Sequence, residues 1–257
     1  MVEPIGELIL EQQSPGLMGS NPWPNHQTDR EFVCQADLDV YDSPALERLA
    51  TQAIAGRQLR ILTSSPVSDG MTSPAAIPIR LCEDGYPGWI PAAAWDALAV
   101  AEAPYRAMVL DAGAIAPLLP DVIAYTQRAM QQPNHYLWGG TIGPNFDCSG
   151  LMQAAFRSVG VWIPRDAYQQ AAFVQPVAMA SLQPGDLIFF GTPERITHVG
   201  LSLGDGRYIH SSGKAMGRNG IGIDRLSGEG DRVSQAYYQQ LRGAGRVVCS
   251  YQPPIDE

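Results

Sequence analysis

With 257 residues the chain is long enough for two compact domains, and 45% apolar against 17% charged residues is an ordinary globular composition. Seventeen Lys and Arg against 26 Asp and Glu give a formal charge of −9, which argues against a nucleic-acid partner on electrostatic grounds. No run of about 18 apolar residues occurs, so no membrane-spanning helix is expected.

Residues 1–31 are rich in Pro, Asn and Gln without periodicity and are expected to form an irregular arm, with His26 a loop histidine. The start lacks a basic segment followed by an apolar core, so no secretion signal is expected and the cytoplasm is the expected compartment. From Phe32 the pattern turns to β. Residues 32–41 and 58–62 alternate, and 77–82 form a further strand in which Pro78 signals an edge or a bulge. Residues 83–91 read as a turn entering another short strand, and 45–50 as one helical turn. Several short strands within 32–97 predict a small closed barrel. Residues 98–120, with Ala, Gly and Pro throughout, read as the connection to a second domain at 121–257.

That domain opens with a helix over 121–131, followed by Tyr136-Leu137-Trp138-Gly139-Gly140, with Trp138 to Gly140 read as packing and turn residues. Next comes Asp147-Cys148-Ser149-Gly150. Leu151, Met152, Ala155, Phe156 and Val159 follow the helical period, Asp147 stands at the N-cap and Gly160 at the stop. Cys148 therefore lies in the first turn, ahead of the apolar stripe, where the partial positive charge of a helix start favours thiolate. Cys34, Cys82 and Cys249 read as small buried hydrophobes. Without Cys-x-x-Cys or zinc-ligand spacing, neither a disulfide framework nor a metal or other cofactor is expected.

Downstream, 182–186 is a turn and 187–190 a strand. Residues 197–203 and 207–210 form a hairpin about Gly204-Asp205-Gly206, and 220–226 and 246–250 are two more strands. A nucleophile-bearing helix followed by an antiparallel sheet is an α+β layout. Alternation puts His198, Gly200 and Ser202 on one face of their strand and His210 with Tyr208 on one face of the next. Packing the cysteine helix on that face would bring Cys148, His198 and His210 together. In such a set His198 can hold the thiolate as an ion pair and later protonate the leaving amine, His210 orients its imidazole, and the Cys148 N–H meets an oxyanion.

The series Tyr136 to Gly140, Asp147 to Gly150, Leu182 to Leu187, His198-Val199-Gly200 and Ile209-His210 closely resembles the NlpC-type, papain-like cell-wall cysteine peptidases over about 120–250. Asp84-Gly85-Tyr86-Pro87-Gly88-Trp89-Ile90 resembles a bacterial SH3-type barrel. Together the two resemble the cyanobacterial γ-D-glutamyl-L-diamino acid endopeptidases. The resemblance implies a nucleophile Cys148, a base His198 and a third triad member His210. It implies Tyr136 as an oxyanion ligand, with Asp147 and Ser149 lining the substrate cleft; Asp147 serves as helix cap, cleft residue or both. Arg165-Asp166 matches a substrate-holding Arg-Asp-Ser element in which Ala167 here replaces Ser. Tyr86, with Glu83 nearby, matches a tyrosine closing the pocket around a free N-terminal L-alanine. The implied substrate is a small muropeptide, L-Ala-γ-D-Glu-diamino acid, and the oligomeric state is left open. A non-catalytic wall-peptide binder and an amidase or acyltransferase are the alternatives.

Overall fold

The computed structural model describes residues 30–62 and 75–253, so the expected arm up to residue 29, with His26, lies outside the described residues. Seven strands build the N-terminal unit: β1 (Glu31–Cys34), β2 (Leu38–Tyr41), β3 (Leu49–Ala53), β4 (Gln58–Ile61), β5 (Ala76–Leu81), β6 (Pro87–Pro91) and β7 (Leu98–Val100). They pair antiparallel in the order β3-β2-β6-β5-β4-β1-β7 around a core that includes Phe32, Val40, Leu59, Ile79, Leu81 and Ile90. Period-two alternation makes this core: on β5, Ile77, Ile79 and Leu81 point inward while Pro78 and Arg80 stay half-buried.

Four details differ from the sequence reading. The 32–41 segment is two strands. Residues 45–50 form no helical turn; Leu49 already belongs to β3, whose pairing with β2 overrides the helical preference of Ala and Leu. Leu98–Val100 is not connection but a strand paired with β1. Pro78 sits on a central strand, not an edge: its carbonyl accepts from the Leu62 N–H at 2.9 Å, just past the end of β4, where the lost N–H falls at the margin of the ladder.

A short helix α1 (Ala112–Ile115) and the longer α2 (Leu119–Gln131) lead to the hairpin β8 (Thr141–Ile142) and β9 (Asn145–Phe146). Then follow α3 (Cys148–Arg157), α4 (Ala167–Phe173), β10 (Gln175–Val177), β11 (Leu187–Gly191), β12 (Ile196–Gly204), β13 (Arg207–Ser212), β14 (Gly220–Arg225), α5 (Arg232–Gln239) and β15 (Leu241–Arg246). The last six strands form one antiparallel sheet, β10-β15-β11-β12-β13-β14. The β12–β13 hairpin turns through Asp205 and Gly206 at φ 52° and 67°, the left-handed pair that a two-residue hairpin requires.

The sheet has two apolar faces. Leu187, Phe189, Val199, Leu201 and Ile209 pack with Leu151, Met152, Ala155 and Phe156 of α3, whereas Ile188, Phe190 and Tyr208 pack with Val233 and Tyr237 of α5. His198 and His210 lie among the second set, in ring contact with Phe190, Tyr208 and Tyr237. The cysteine helix therefore does not cover the histidine face, contrary to the sequence reading. Its apolar stripe packs instead with Val199, Leu201 and Ile209, which share one core with it. Of the three cysteines read as buried, Cys34 is buried, Cys82 is half-buried and Cys249 is exposed.

Helix α3 is buried from Cys148 through Phe156, because α2, α4 and β8 cover the sides the sheet leaves open, and polar contacts tie this assembly to the barrel. Gln52 of β3 accepts from the Thr141 and Ile142 N–H groups at 3.1 and 3.2 Å, and Gln153 of α3 donates to Asp84 of the barrel at 2.9 Å. Closest packing occurs at Gly150, where a Cβ would stand 2.0 Å from the Gly140 carbonyl oxygen. That contact explains Gly150, while a Cβ on Gly140 would stand 2.5 Å from the Asn145 carbonyl oxygen, which explains the glycine there. Gly150→Ala should lower the unfolding free energy by about 2–3 kcal/mol, read as a shift in urea midpoint at unchanged slope.

Candidate active site

Asp147 has the extended backbone of an N-cap, and its Oδ1 accepts from the Gly150 N–H at 2.7 Å. Its Oδ2 accepts from the Gly139 N–H at 2.9 Å, so one carboxylate fixes both the helix start and the Trp138-Gly139-Gly140 turn. The backbone N–H groups of Val199 and Ser149 are directed at the Cys148 sulfur and favour its charged form. Pairing between β12 and β13 runs from Gly204↔Arg207 to Leu201↔Ile209. Beyond it the Val199 N–H turns to the sulfur and the Ser211 hydroxyl donates to the Phe146 carbonyl at 2.7 Å. The chain entering α3 is thus wedged at the end of that ladder. Cys148 thereby reaches Val199, the residue next to His198, and it also lies near Tyr237, which stacks on the His198 ring.

Burial, with the Asp147 charge second, pushes the Cys148 thiol up to about 12, against the two N–H groups that pull it down. The helix start alone does not favour thiolate here: desolvation of the buried sulfur opposes it.

On the α5 face, His198 Nε2 lies 2.7 Å from His210 Nδ1, and His210 Nε2 lies 2.7 Å from Asp224 Oδ2. An ionised carboxylate only accepts, so His210 carries its proton on Nε2. Its bare Nδ1 then takes the Nε2–H of His198, which leaves His198 Nδ1 unprotonated and available as a base. Burial, and next the neighbouring His210, holds the His198 pKa well below 6.5; burial likewise lowers His210, partly offset by Asp224. The imidazoles that receive the proton are neutral. Hydrogen bonds from His210 and Arg218 overcome burial to hold Asp224 far below the usual carboxylate range, and Arg218 grips both its oxygens. Tyr237 stacks on the His198 ring at 4.4 Å and anchors its hydroxyl on Ser212 at 2.6 Å.

Asp224 and Arg218 escaped the sequence reading. The signal was present: on the 220–226 strand, Asp224 has the parity that puts it on the histidine face, directly opposite Tyr208.

Other residues fall differently from expectation. Arg165 is 1% exposed and all five of its N–H groups are used. Nε donates to Thr51 Oγ1 (2.9 Å), Nη1 to Asp147 Oδ1 (3.1 Å) and Ser149 Oγ (3.0 Å), and Nη2 to Asp147 Oδ2 (2.7 Å) and the Ala50 carbonyl (3.3 Å). It clamps the barrel to the nucleophile helix and has no donor left for a substrate. Glu83 also stands apart from the cleft: it accepts from Arg57 Nε at 3.0 Å and the Gln58 N–H at 2.7 Å inside the barrel. Trp138 is more than a turn residue, being exposed at the cleft with Arg48 4.8 Å above its ring.

The cleft itself, about 520 Å³, is lined by Cys148, Asp147 and Ser149 and flanked by Tyr136, Tyr86 and Asp166. The Tyr86 hydroxyl reaches both Asp166 oxygens at 3.4 Å, across the boundary between barrel and sheet domain. Burial raises the Asp166 pKa, with Arg165 opposing, and burial raises that of Tyr136, so its hydroxyl keeps its proton.

Two stability measurements follow from this geometry. Arg165→Ala strands a buried carboxylate and should cost about 3–5 kcal/mol in urea unfolding, while adding Asp147→Ala should cost less than the sum of the two singles. Because the folded histidines have pKa values below 6.5, the unfolded chain binds more protons at mildly acidic pH. Unfolding free energy should therefore be fully developed above about pH 6.5 and decline as pH falls toward the depressed values, with a flatter decline in His198→Gln.

Comparison with known proteins bears on this arrangement. The chain is similar to a gamma-D-glutamyl-L-lysine dipeptidyl-peptidase of Bacillus subtilis, 45% identical over 86 residues, covering 32% of this chain and 29% of that protein. It is also similar to a probable endopeptidase p60 of Listeria seeligeri, 35% identical over 126 residues, 49% of this chain and 22% of the relative. It therefore spans less than a third of the length of either. Among solved structures, an NlpC/P60 family protein from Bacillus cereus aligns over 86% of this chain and 64% of its own at 22% identity, with a TM-score of 0.45. Residues 40–94 match the bacterial dipeptidyl-peptidase Sh3 domain, and 133–241 match the NlpC/P60 family. The chain thus carries an NlpC/P60 domain behind a bacterial SH3 domain.

Proposed function

We propose that the chain is a cysteine endopeptidase hydrolysing the γ-D-glutamyl–diamino acid amide of peptidoglycan stem peptides that bear a free N-terminal L-alanine. The observation that carries this reading is the one-way chain Asp224–His210–His198, which leaves a bare nitrogen on the residue preceding the one whose N–H holds the Cys148 sulfur. The activity for which the Bacillus subtilis relative is named supports the bond chosen.

In this mechanism the Cys148 thiol gives its proton to His198 Nδ1 as the sulfur attacks the γ-carbonyl carbon. The Cys148 N–H and the Tyr136 hydroxyl meet the developing oxyanion. The C–N bond breaks, the leaving amine takes the proton from His198, and a thioester remains. Water, deprotonated by His198 Nδ1, then attacks the thioester; L-Ala-D-Glu departs and the thiol is restored. Asp166 and Tyr86 receive the substrate's ammonium group, which relieves the carboxylate of its desolvation cost. A closed pocket at that end fits released wall fragments, whose alanine amine is unblocked.

Mass spectrometry of L-Ala-γ-D-Glu-diamino acid peptides is the test. Wild type should release L-Ala-D-Glu, and Cys148→Ala and the N-acetylated peptide should release none. Asp224→Asn should lower kcat by at least about 100-fold with little change in KM, because it unsettles proton placement and not binding. Full activity of Cys148→Ala would refute the mechanism, and turnover of the acetylated peptide would refute the closed pocket.

A further inference from the structure

We propose that Arg195 receives the α-carboxylate of the D-glutamyl residue, so that the cleft selects an ionised over an amidated glutamate. This rests on the reading of the site as a γ-D-glutamyl peptidase. In a γ-linked glutamate the side-chain carboxyl forms the peptide bond and the α-carboxylate hangs free beside it. Brought into a cleft already holding the Asp147 and Asp166 carboxylates, that charge needs a cationic partner.

Three arginines stand near. Arg165 has no donor left, as shown above. Arg48 lies over Trp138 with Asp42 3.7 Å from its Nε. Arg195 lines the cleft 5.9 Å above the Tyr168 ring, and among the described residues it has no carboxylate partner. Ala167, on the same wall, offers no side-chain donor that would take its place.

Position supports the same residue. Tyr168 is two residues beyond Asp166, where the alanine amine is held in this reading. Arg195 stands three residues before His198, about 10 Å along an extended strand, and the Val199 N–H at the far end holds the sulfur. The D-glutamyl α-carbon lies between amine and scissile carbonyl, and Arg195 lines the same cleft as the groups that take those two. Its turn is pinned: the Arg195 N–H donates to the Thr192 hydroxyl at 3.2 Å and the Thr192 N–H to the Arg195 carbonyl at 3.0 Å. Such a turn presents the guanidinium with little ordering cost.

The experiment compares kcat/KM for L-Ala-γ-D-Glu-L-diamino acid peptides with those whose glutamyl α-carboxylate is an amide. Wild type should favour the carboxylate about tenfold or more, and Arg195→Gln should abolish that preference by losing activity on the carboxylate peptide alone. Arg195→Lys, which keeps the charge without the planar fork, should fall between. An equal preference in wild type and Arg195→Gln, or none in wild type, overturns the assignment of Arg195 while leaving the peptidase intact. Cleavage of neither peptide by wild type overturns the functional reading and this inference with it.

Discussion

The placement of one carboxylate decides which nitrogen is the base. Asp224 accepts from His210 Nε2, and everything upstream follows from hydrogen-bond valence: His210 must accept at Nδ1, His198 must donate at Nε2, and His198 Nδ1 is left bare. Arg218 keeps Asp224 ionised, and the aromatic surround of Phe190, Tyr208 and Tyr237 keeps both imidazoles dry and neutral. A solvated pair of histidines would sample both tautomers; this pair has one proton arrangement that satisfies every member.

A second buried group links that chemistry to the barrel. Through Arg165, the carboxylate capping the nucleophile helix is joined to the Thr51 hydroxyl and the Ala50 carbonyl of β3. The ion pair at the start of the helix that positions Cys148 is therefore itself anchored on a different domain. This is why Arg165, which has the look of a ligand-binding arginine in the sequence, is spent on architecture. Asp166, at the far end of the cleft, meets the Tyr86 hydroxyl from the barrel and forms a capping box with Gln169 at the start of α4. Removing a partner from so buried a pair costs more than the pair contributes, so the clamp enforces a single arrangement of the two domains.

Local signals were legible wherever one element answered for them. The cap at Asp147, the helix stop at Gly160 with φ 82° and the Asp205-Gly206 turn each follow from the stereochemistry of a few residues. The alternation that paired His198 with His210 on one face was likewise readable, and their rings do meet. What alternation does not tell is which face a helix will cover. Both faces of this sheet are apolar, and the choice was made by Val199, Leu201 and Ile209 against α3, a contact between segments some fifty residues apart in sequence. The roles of Arg165 and Glu83 were hidden for the same reason: their partners, Thr51 and Arg57, come from distant stretches of chain. Asp224 was hidden only because the parity of its strand was not followed to the end.

The proton arrangement can be seen directly by nitrogen-15 NMR of the histidine rings in the resting protein at pH 7. The account predicts neutral His198 and His210, each protonated at Nε2 and bare at Nδ1, with the His198 signals shifting in Asp224→Asn. An imidazolium at His198, protonated on both nitrogens, would contradict it and return the thiolate ion pair as the resting state.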